Sequence, residues 1–481
     1  MQERSDYKTK KFIAKVVEIM KINKVTIGGF RNVEKTVLEL SHPITALVSL
    51  NSYGKSNLLK AIEFGIGFIN ETPKERDGEM IFARNVPHNK YSNATQYSID
   101  LSMELEYDEK LWIVEYGYAF EWGDVVHKKA GSIISESLTI ADAQNMRKKT
   151  QYILRDQKAA KYKSSATGRC SKQKKVMPND LMCNVLRNED GLVGILQEVL
   201  KRLGNMTMHI DQHFDPTEAF QERRLFVTAA EPVSLNNFDD LPRVLNYLRN
   251  NLSDKFELIV DAFCQLFPQF EGITTHEIQI EGKELFPNLE SLKDLGLCVQ
   301  DKEYRIYTVE KYRSEIMNGK ALSDGAKRIL LLLTATIVSE YNGISIIALE
   351  EIENCVHPKL VKGLLDILEQ FAGNCKIIIT SHSPYVVQYL PLENIYVGLP
   401  EKCGKAIFET FSKKGEKAIY AEAKDSAAST GEVIFDMLSG DQEDLDYLKN
   451  CLRPNVCTRC HAHGEKETED NPIGAPCRRA D

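Results

Sequence analysis

The segment SLNSYGKS, residues 49–56, follows an apolar run, Ile44–Val48, and precedes a run with helical periodicity. It matches the phosphate loop G-x-x-x-x-G-K-[ST] at Gly54, Lys55 and Ser56. In such a strand–loop–helix unit, backbone N–H groups at the helix N-terminus attract phosphate oxygens. The glycine lets the backbone approach closely, the lysine supplies positive charge and the serine offers a hydroxyl to Mg²⁺. The stretch therefore predicts a site for the phosphates of a nucleotide.

One position departs from the motif, because Ser49 stands where the motif has its first glycine. A side chain is thereby placed where the backbone of the motif turns tightly. An ordinary strand–helix turn with an exposed lysine is the alternative interpretation of the same pattern. Three later segments favour the phosphate site.

Two of these segments are short apolar runs that end in groups able to do chemistry. The first, Ile344–Leu349, has the pattern of a buried strand and ends in Glu350 and Glu351. Two carboxylates at the end of a parallel strand are suited to holding Mg²⁺ and an attacking water. The second run, 375–380, is followed by a serine and by His382, which can reach a γ-phosphate. Taken singly, the acids fit a solvated strand end and the histidine fits a structural role.

The third segment opens a strongly apolar helix that begins near Ile329. Ser323 and Gly325 stand at its start, and a serine there favours an anion-binding helix N-terminus. Alone, the same pattern fits a common helix cap.

Composition sets limits on the class of protein. The chain has 481 residues, too many for one ordinary core, and 43% of them are hydrophobic, as in soluble globular proteins. No run of 18 apolar residues predicts a membrane span. Eleven cysteines without a secretory signal predict reduced thiols and a cytoplasmic location. The net charge of −8 means that any nucleic-acid contact must use a local basic patch.

One local basic patch is present at residues 147–175. Eleven of its residues are lysine or arginine and only Asp156 is acidic. Such a run can bind DNA phosphates, and Tyr152 and Tyr162 within it add stacking surfaces. A solvated hairpin is the alternative, and it is the more common outcome for a charge run.

The motifs occur in one order: phosphate loop, Ser-x-Gly, strand with Glu-Glu, and strand with Ser-His. In this combination the chain resembles the ATP-binding-cassette ATPase heads of the SMC, RecF and OLD type. Among these it is most similar to the single-chain "AAA" ATPases of bacterial anti-phage and abortive-infection systems, including the Septu- and PARIS-like ones. The resemblance covers about 20–125 and 320–440.

The resemblance implies an α/β fold: an ABC/SMC-like P-loop ATPase head with a β-rich arm and a large, mostly helical insertion. The expected division is an N-terminal extension at 1–19, head segments at 20–125 and 321–452, an inserted lobe at 126–320 and a tail at 453–481.

The resemblance also implies roles for individual residues. Glu351 polarises water, His382 is the switch histidine, and Ser56 and Glu350 hold Mg²⁺. Glu353 and Asn354 begin the D-loop, and Gln96 is a weak Q-loop candidate. The expected ATP contacts are Arg31, Asn51, Gly54, Lys55, Ser56, Asn57, Ser323 and Gly325.

In this family the signature serine contacts ATP held by the opposite subunit, so the resemblance implies a homodimer or a higher even oligomer. The serine at 49, and Glu350 where the family has aspartate, imply slow hydrolysis. Asp444-Leu445-Asp446 sits in an acidic helical pattern, so we predict a solvated helix there. We therefore expect the effector, such as a nuclease, to be a separate chain. A RecF-like DNA-repair ATPase and a scaffold that binds ATP without turnover remain alternatives.

The C-terminal tail carries a separate pattern of soft ligands. Cys457, Cys460, His463 and Cys477 have residue types that bind Zn²⁺, and the first two have Cys-x-x-Cys spacing. The segment lacks a second tight pair, so a disordered polar tail is the alternative.

Overall fold

We analysed a computed structural model of the chain. It describes residues 19–81, 95–124, 129–210, 219–220, 226–228, 240–279, 297–299, 302–353, 356–399 and 404–453. The Cys/His pattern of the tail, Asn354 and nearly all of the N-terminal extension lie outside these ranges.

The chain forms two compact units. The head unit takes the described residues of Ile19–Asp211, Ser345–Lys362 and Gly373–Asp481. The insert unit takes those of Gln212–Ile344 and Gly363–Ala372. Within the described residues, no helix combines the length and apolarity that crossing a membrane would require.

The strands of the described residues are numbered in chain order. They are β1 Lys21–Phe30, β2 Val33–Glu39, β3 Ile44–Ser49, β4 Gln96–Tyr107, β5 Lys110–Glu121, β6 Ser132–Asp142, β7 Thr150–Arg155, β8 Ala160–Tyr162, β9 Lys172–Gln173, β10 Thr207–Ile210, β11 Phe226–Thr228, β12 Phe270–Gln279, β13 Leu297–Val299, β14 Lys302–Glu310, β15 Met317–Asn318, β16 Ile344–Glu350, β17 Lys376–Ser381, β18 Ile395–Gly398, β19 Phe408–Phe411 and β20 Leu452–Arg453.

The α-helices of the same residues follow the same convention. They are α1 Lys55–Asn70, α2 Pro73–Glu79, α3 Met182–Arg187, α4 Gly194–Leu203, α5 Leu241–Asn251, α6 Ser253–Leu266, α7 Asp324–Ile337, α8 Ser339–Asn342, α9 Pro358–Phe371, α10 Pro384–Val387, α11 Lys413–Asp425, α12 Thr430–Ser439 and α13 Gln442–Cys451.

A seven-stranded sheet forms the centre of the head unit, with the order β10-β16-β17-β3-β18-β19-β20. The four strands β16, β17, β3 and β18 run parallel to one another. β3 and β17 are buried along their whole length, and β16 is buried up to its last residue. Parallel strands covered on both faces read as continuous apolar runs, and this is the pattern that predicted them.

A second, eight-stranded antiparallel sheet has the order β2-β1-β4-β5-β6-β7-β8-β9. Along β4, buried and partly exposed residues alternate, so the period-2 prediction for this arm is confirmed. Helix α1 packs against this sheet through Phe64 and Phe68. Phe68 stacks on Tyr118 and Phe120 with ring centroids 5.3 and 5.0 Å apart. The phosphate-loop helix and the arm therefore share one apolar core.

The structure differs from the expected boundaries of the inserted lobe. β6 pairs with β5 over nearly its whole length, so the arm continues through Gln173 instead of ending near residue 125. The described part of the insert unit holds strands β12, β14 and β15 as well as helices α5, α6 and α7. Local composition did not predict β6, because this strand is stabilised by its pairing with β5 and not by a pattern within its own sequence.

Two glycines of α1 differ in their surroundings, and they provide a matched test of this packing. A Cβ on Gly65 would lie 2.1 Å from the hydroxyl of Tyr97, whereas one on Gly67 would meet nothing within 4 Å. Gly67→Ala should therefore stabilise the protein by about 0.5–1 kcal/mol through helix propensity. Gly65→Ala should destabilise it by about 1–3 kcal/mol through overpacking. Thermal unfolding measures both, and equal effects of the two substitutions would contradict the packing.

Candidate nucleotide site

The expected site residues of the head unit meet at one edge of the seven-stranded sheet. In the parallel register Glu350 pairs with Thr380, and Ser381 pairs with Val48. β16, β17 and β3 therefore end at the same level. The acidic pair, the segment with His382 and the loop of residues 49–56 follow from these ends, as parallel strands require.

Lys55 lies beneath the loop that precedes it, with only 8% of its surface exposed. Its Nζ donates to the carbonyl oxygens of Ser49 at 3.0 Å and Leu50 at 3.3 Å. It also donates to the hydroxyl oxygen of Ser49 at 3.1 Å. Burial lowers the pKa of Lys55 from 10.5 to about 8, although the carboxylates of Glu351, Glu353 and Glu350 oppose this shift. The cation is thus held by loop oxygens.

The loop turns through Ser52 and Gly54, which have φ angles of 60° and 126°. A Cβ on Gly54 would come within 2.7 Å of the Cβ of Ala406, so both the turn and the close approach require glycine here. Helix α1 begins at the next residue without a side-chain cap. No side chain therefore occupies the N-terminal N–H groups of α1, which leaves them for an anion.

The Ser56 hydroxyl donates a hydrogen bond to the Oε1 atom of Glu350. A hydroxyl and a carboxylate in contact are hard oxygen ligands of the type that Mg²⁺ prefers. The longer side chain of glutamate, compared with aspartate, does not keep the carboxylate away from Ser56. These two residues therefore fit a magnesium ion.

Glu351 and His382 face each other across the same edge. The Nε2 atom of His382 lies 4.0 Å from the Oε1 atom of Glu351, whose side chain is 48% exposed. Glu351 has a φ of 50°, and its N–H donates to the carbonyl and hydroxyl oxygens of Thr380 at 3.0 and 3.2 Å. Burial, followed by the charge of Lys55, lowers the pKa of His382, so its imidazole is neutral at neutral pH.

A chain of polar side chains joins Arg31 to the phosphate loop. Arg31 Nη1 donates to Asn57 Oδ1 at 2.9 Å, and Asn57 Nδ2 donates to Asn32 Oδ1 at 2.7 Å. Asn32 Nδ2 in turn donates to the carbonyl oxygen of Tyr53 at 3.2 Å. The turn between β1 and β2 therefore supports both the loop and the first turn of α1.

Tyr53 anchors the back of the loop, a role that the motif did not predict. Its hydroxyl exchanges hydrogen bonds with the backbone of Ile407 at 3.3–3.4 Å, and its ring packs edge-on against Phe408. A Cβ on Gly398 would lie 2.6 Å from this ring. No local signal marked this role, because the partners are more than 340 residues away.

Other expected contacts are placed less directly. Asn51 is exposed in the loop, and Gln96 begins β4, where it pairs with Glu121. Ser323 lies in the insert unit, where its exposed hydroxyl accepts the N–H of Ala326 at 3.3 Å and caps α7. Gly325 lies in the first turn of the same helix.

The acidic pair near the C-terminus has the structural role that its pattern indicated. Asp444 and Asp446 lie on α13, and Asp444 completes a capping box with Asp441. No group of three or more metal-binding side chains occurs within the described ranges. The cysteines and the histidine assigned to zinc lie outside those ranges, so that assignment stays a prediction.

A buried lysine in a strand–loop–helix cradle, beside a hydroxyl–carboxylate pair and a second carboxylate, is the arrangement that P-loop nucleotide hydrolases use. Residues 20–387 match the AAA ATPase domain family, so the chain belongs to this family. The predicted AAA-type ATPase family is confirmed by this match, and the predicted α/β class agrees with the parallel sheet that carries the phosphate loop.

One curated relative and several solved structures are similar to the chain. A probable ATPase of the retron Ec83 from Escherichia coli is 26% identical over 128 residues. That match spans only 26% of this chain and 23% of the relative.

The solved structures are head domains of SMC proteins. A head bound to the C-winged helix domain of ScpA is 16% identical with a TM-score of 0.43, and the match covers 83% of this chain and 99% of that one. A head from Thermotoga maritima is 12% identical with a TM-score of 0.38, with coverages of 82% and 100%. A head with an extended coiled coil, bound to a ScpA domain from Pyrococcus furiosus, is 12% identical with a TM-score of 0.41, with coverages of 84% and 100%.

The Ser49 hydroxyl predicts a measurable effect on nucleotide affinity. Ser49→Ala removes one of three oxygens that hold Lys55, so the ammonium moves to a phosphate at lower cost. The affinity for ATP should rise by about threefold to tenfold, the equivalent of one hydrogen bond. Equilibrium binding of a fluorescent ATP analogue measures this change.

Ser345→Ala is the matched control, because its buried hydroxyl on β16 has no hydrogen-bond partner in the described structure. Unchanged or weaker binding by Ser49→Ala would show that this hydroxyl does not restrain Lys55.

Proposed function

We propose that the chain is the ATP-binding and ATP-hydrolysing switch of a bacterial anti-phage defence system. In this proposal it closes as an ATP-sandwich dimer and controls a separate effector. The main observation that supports this proposal is that three groups lie at one edge of the sheet. They are Lys55, the Ser56–Glu350 pair and the Glu351–His382 pair. Membership of the AAA ATPase domain family supports the chemistry. Similarity to an ATPase of a retron supports the defence role.

The proposed reaction assigns one task to each of these groups. The phosphates of ATP bind to the N–H groups at the start of α1 and to Lys55, which leaves the loop carbonyls. Bound Mg²⁺, held by Ser56 and Glu350, would neutralise charge on the phosphates. Glu351 orients a water and accepts its proton as the water oxygen bonds to the γ-phosphorus. The bond to the bridging oxygen breaks, and the products are ADP and phosphate.

His382 completes the site from the side of β17. Because its imidazole is neutral, it can donate one N–H to a γ-phosphate oxygen without forming a fixed ion pair with Glu351. Loss of the γ-phosphate would then remove that partner. In the proposed switch, His382 therefore distinguishes ATP from ADP by whether it has a γ-phosphate oxygen to donate to.

The proposal of an ATP-sandwich dimer is based on the N-terminus of α7 in the insert unit, which Ser323 caps. Ser323 is exposed at the N-terminus of a 14-residue helix, and such an end favours a phosphate group. In the proposed dimer this end contacts ATP held by a second copy of the chain. Slow turnover is expected from the two departures from the family pattern, Ser49 in the phosphate loop and Glu350 in place of aspartate.

Glu351→Gln and Lys55→Ala test this function together. Glu351→Gln should lower ATP hydrolysis by about a hundredfold or more, because it removes the group that accepts the proton of water. It should also trap a heavier, ATP-bound assembly, whereas Lys55→Ala should lose both binding and the change in mass. Phosphate release and light scattering with and without ATP measure these effects.

Glu198→Gln, which keeps the size of the side chain, controls for nonspecific effects. The Glu198 carboxylate accepts a hydrogen bond from Arg202 on α4 and lies outside the proposed site. An ATPase rate that Glu351→Gln leaves unchanged would contradict hydrolysis at this site and favour the scaffold alternative.

A second candidate function is direct DNA binding by the basic run. Seven of its eleven cations are exposed: Arg147, Lys148, Lys149, Lys158, Arg169, Lys172 and Lys175. The prediction that Tyr152 and Tyr162 offer stacking surfaces to bases is wrong, however. The two side chains are only 5% and 8% exposed and belong to the hydrophobic core. Any binding would therefore be electrostatic and independent of sequence.

Charge reversal separates this candidate from the leading one. Lys148→Glu, Arg169→Glu and Lys175→Glu together should weaken duplex binding and lower the log–log salt slope by roughly two to three if the run contacts phosphates. Lys414→Glu, Lys417→Glu and Lys424→Glu, on exposed positions of α11, form the matched control. Duplex binding that both triple variants retain would exclude the basic run as a DNA site. Fluorescence anisotropy at several salt concentrations measures the slope.

A further inference from the structure

Glu353, two residues beyond Glu351, holds the backbone segment that carries His382. Its Oε1 atom accepts the hydroxyl of Ser381 at 2.9 Å and the N–H of His382 at 2.8 Å. One carboxylate oxygen therefore binds both residues at the end of β17.

The segment after β17 is folded around this carboxylate. The Ser381 hydroxyl, which donates to Glu353, also accepts the N–H of Ser383 at 2.9 Å. Ser383 is the residue that precedes helix α10. A single acceptor at Glu353 thus fixes the turn from strand to helix in which His382 lies.

The other oxygen of Glu353 indicates that this contact is more than a structural cap. The Oε2 atom is buried and has no hydrogen-bond partner among the described residues. A buried carboxylate oxygen without a protein partner calls for an explanation, and a role at a functional site is one that such groups have.

Two sets of links place Glu351 and His382 opposite each other. The N–H of Glu351 is held by Thr380 on β17, and the N–H of His382 is held by Glu353, which follows β16. Each strand end therefore holds the functional residue of the other. The resulting separation of the two side chains is 4.0 Å.

We propose that Glu353 is a positioning residue for ATP hydrolysis. It acts through His382, whose imidazole it keeps beside Glu351 and aimed at the γ-phosphate. This inference rests on the proposed function of the site. Glu353 makes no contact with the nucleotide in this scheme, so its loss should affect turnover and leave ATP binding nearly intact.

The test is a double-mutant cycle between Glu353 and His382 in the full-length chain. Glu353→Ala should lower kcat at least tenfold, with KM changed by less than about threefold. In a His382→Ala background the same substitution should lower kcat by less than about twofold, because the group through which it acts is absent.

The conservative variant separates hydrogen bonding from charge. In Glu353→Gln the amide oxygen can still accept both hydrogen bonds, so kcat should stay within about threefold of wild type. Ser381→Ala removes one of the two donors and leaves the N–H of His382, so it should cause a smaller loss than Glu353→Ala. Glu198→Ala, on α4, is the control for the loss of a partly buried carboxylate.

Three results would overturn the inference: equal losses from Glu353→Ala in both backgrounds, an effect on KM alone, or a Glu353→Gln variant as slow as Glu353→Ala. If thermal unfolding shows that Glu353→Ala does not fold, the Glu353→Gln and Ser381→Ala variants in both backgrounds decide the question. A wild-type chain that does not hydrolyse ATP overturns the proposed function itself. An active wild type with additive substitutions overturns only the role of Glu353.

Discussion

The parallel register of β16, β17 and β3 is the constraint on which the site depends. Its hydrogen bonds place Glu350 level with Thr380, and Ser381 level with Val48. Residues that are separated by about 300 positions in the chain thereby reach one edge of one sheet. A shift of two residues in any of these pairings would move a strand end by about 7 Å. That distance would separate the carboxylates from the hydroxyl and the ammonium group with which they must act.

In the phosphate loop, the groups proposed to bind ATP and Mg²⁺ already have hydrogen-bond partners within the protein. Lys55 is held by oxygens of Ser49 and Leu50, and Ser56 is held by Glu350. Each of these contacts uses a group that the proposed reaction gives to phosphate or to Mg²⁺. Binding of nucleotide therefore replaces internal hydrogen bonds, so the net free energy of binding is smaller than the new contacts alone would give. A switch benefits from this balance, because both states remain accessible.

The sequence predicted the parts of the site that local patterns encode. Short apolar runs followed by Lys55, Glu351 or His382 can be read without knowledge of distant residues. The supporting contacts could not be read in this way, because Tyr53 meets Ile407, and Glu353 meets the end of another strand. The extent of the arm was missed for the same reason, since β6 to β9 are defined by pairing in an antiparallel sheet. The two tyrosines of the basic run were misjudged because burial depends on which sheet face they occupy.

A structure determined with a non-hydrolysable ATP analogue and Mg²⁺ tests the central claim most directly. The account predicts that Lys55 leaves the carbonyl oxygens of Ser49 and Leu50 and contacts the β- and γ-phosphates. It also predicts Mg²⁺ between Ser56 and Glu350, and the γ-phosphate within hydrogen-bond distance of His382. An analogue bound elsewhere, or one bound at the loop while Lys55 keeps its internal partners, would contradict the assignment of this sheet edge as the site of hydrolysis.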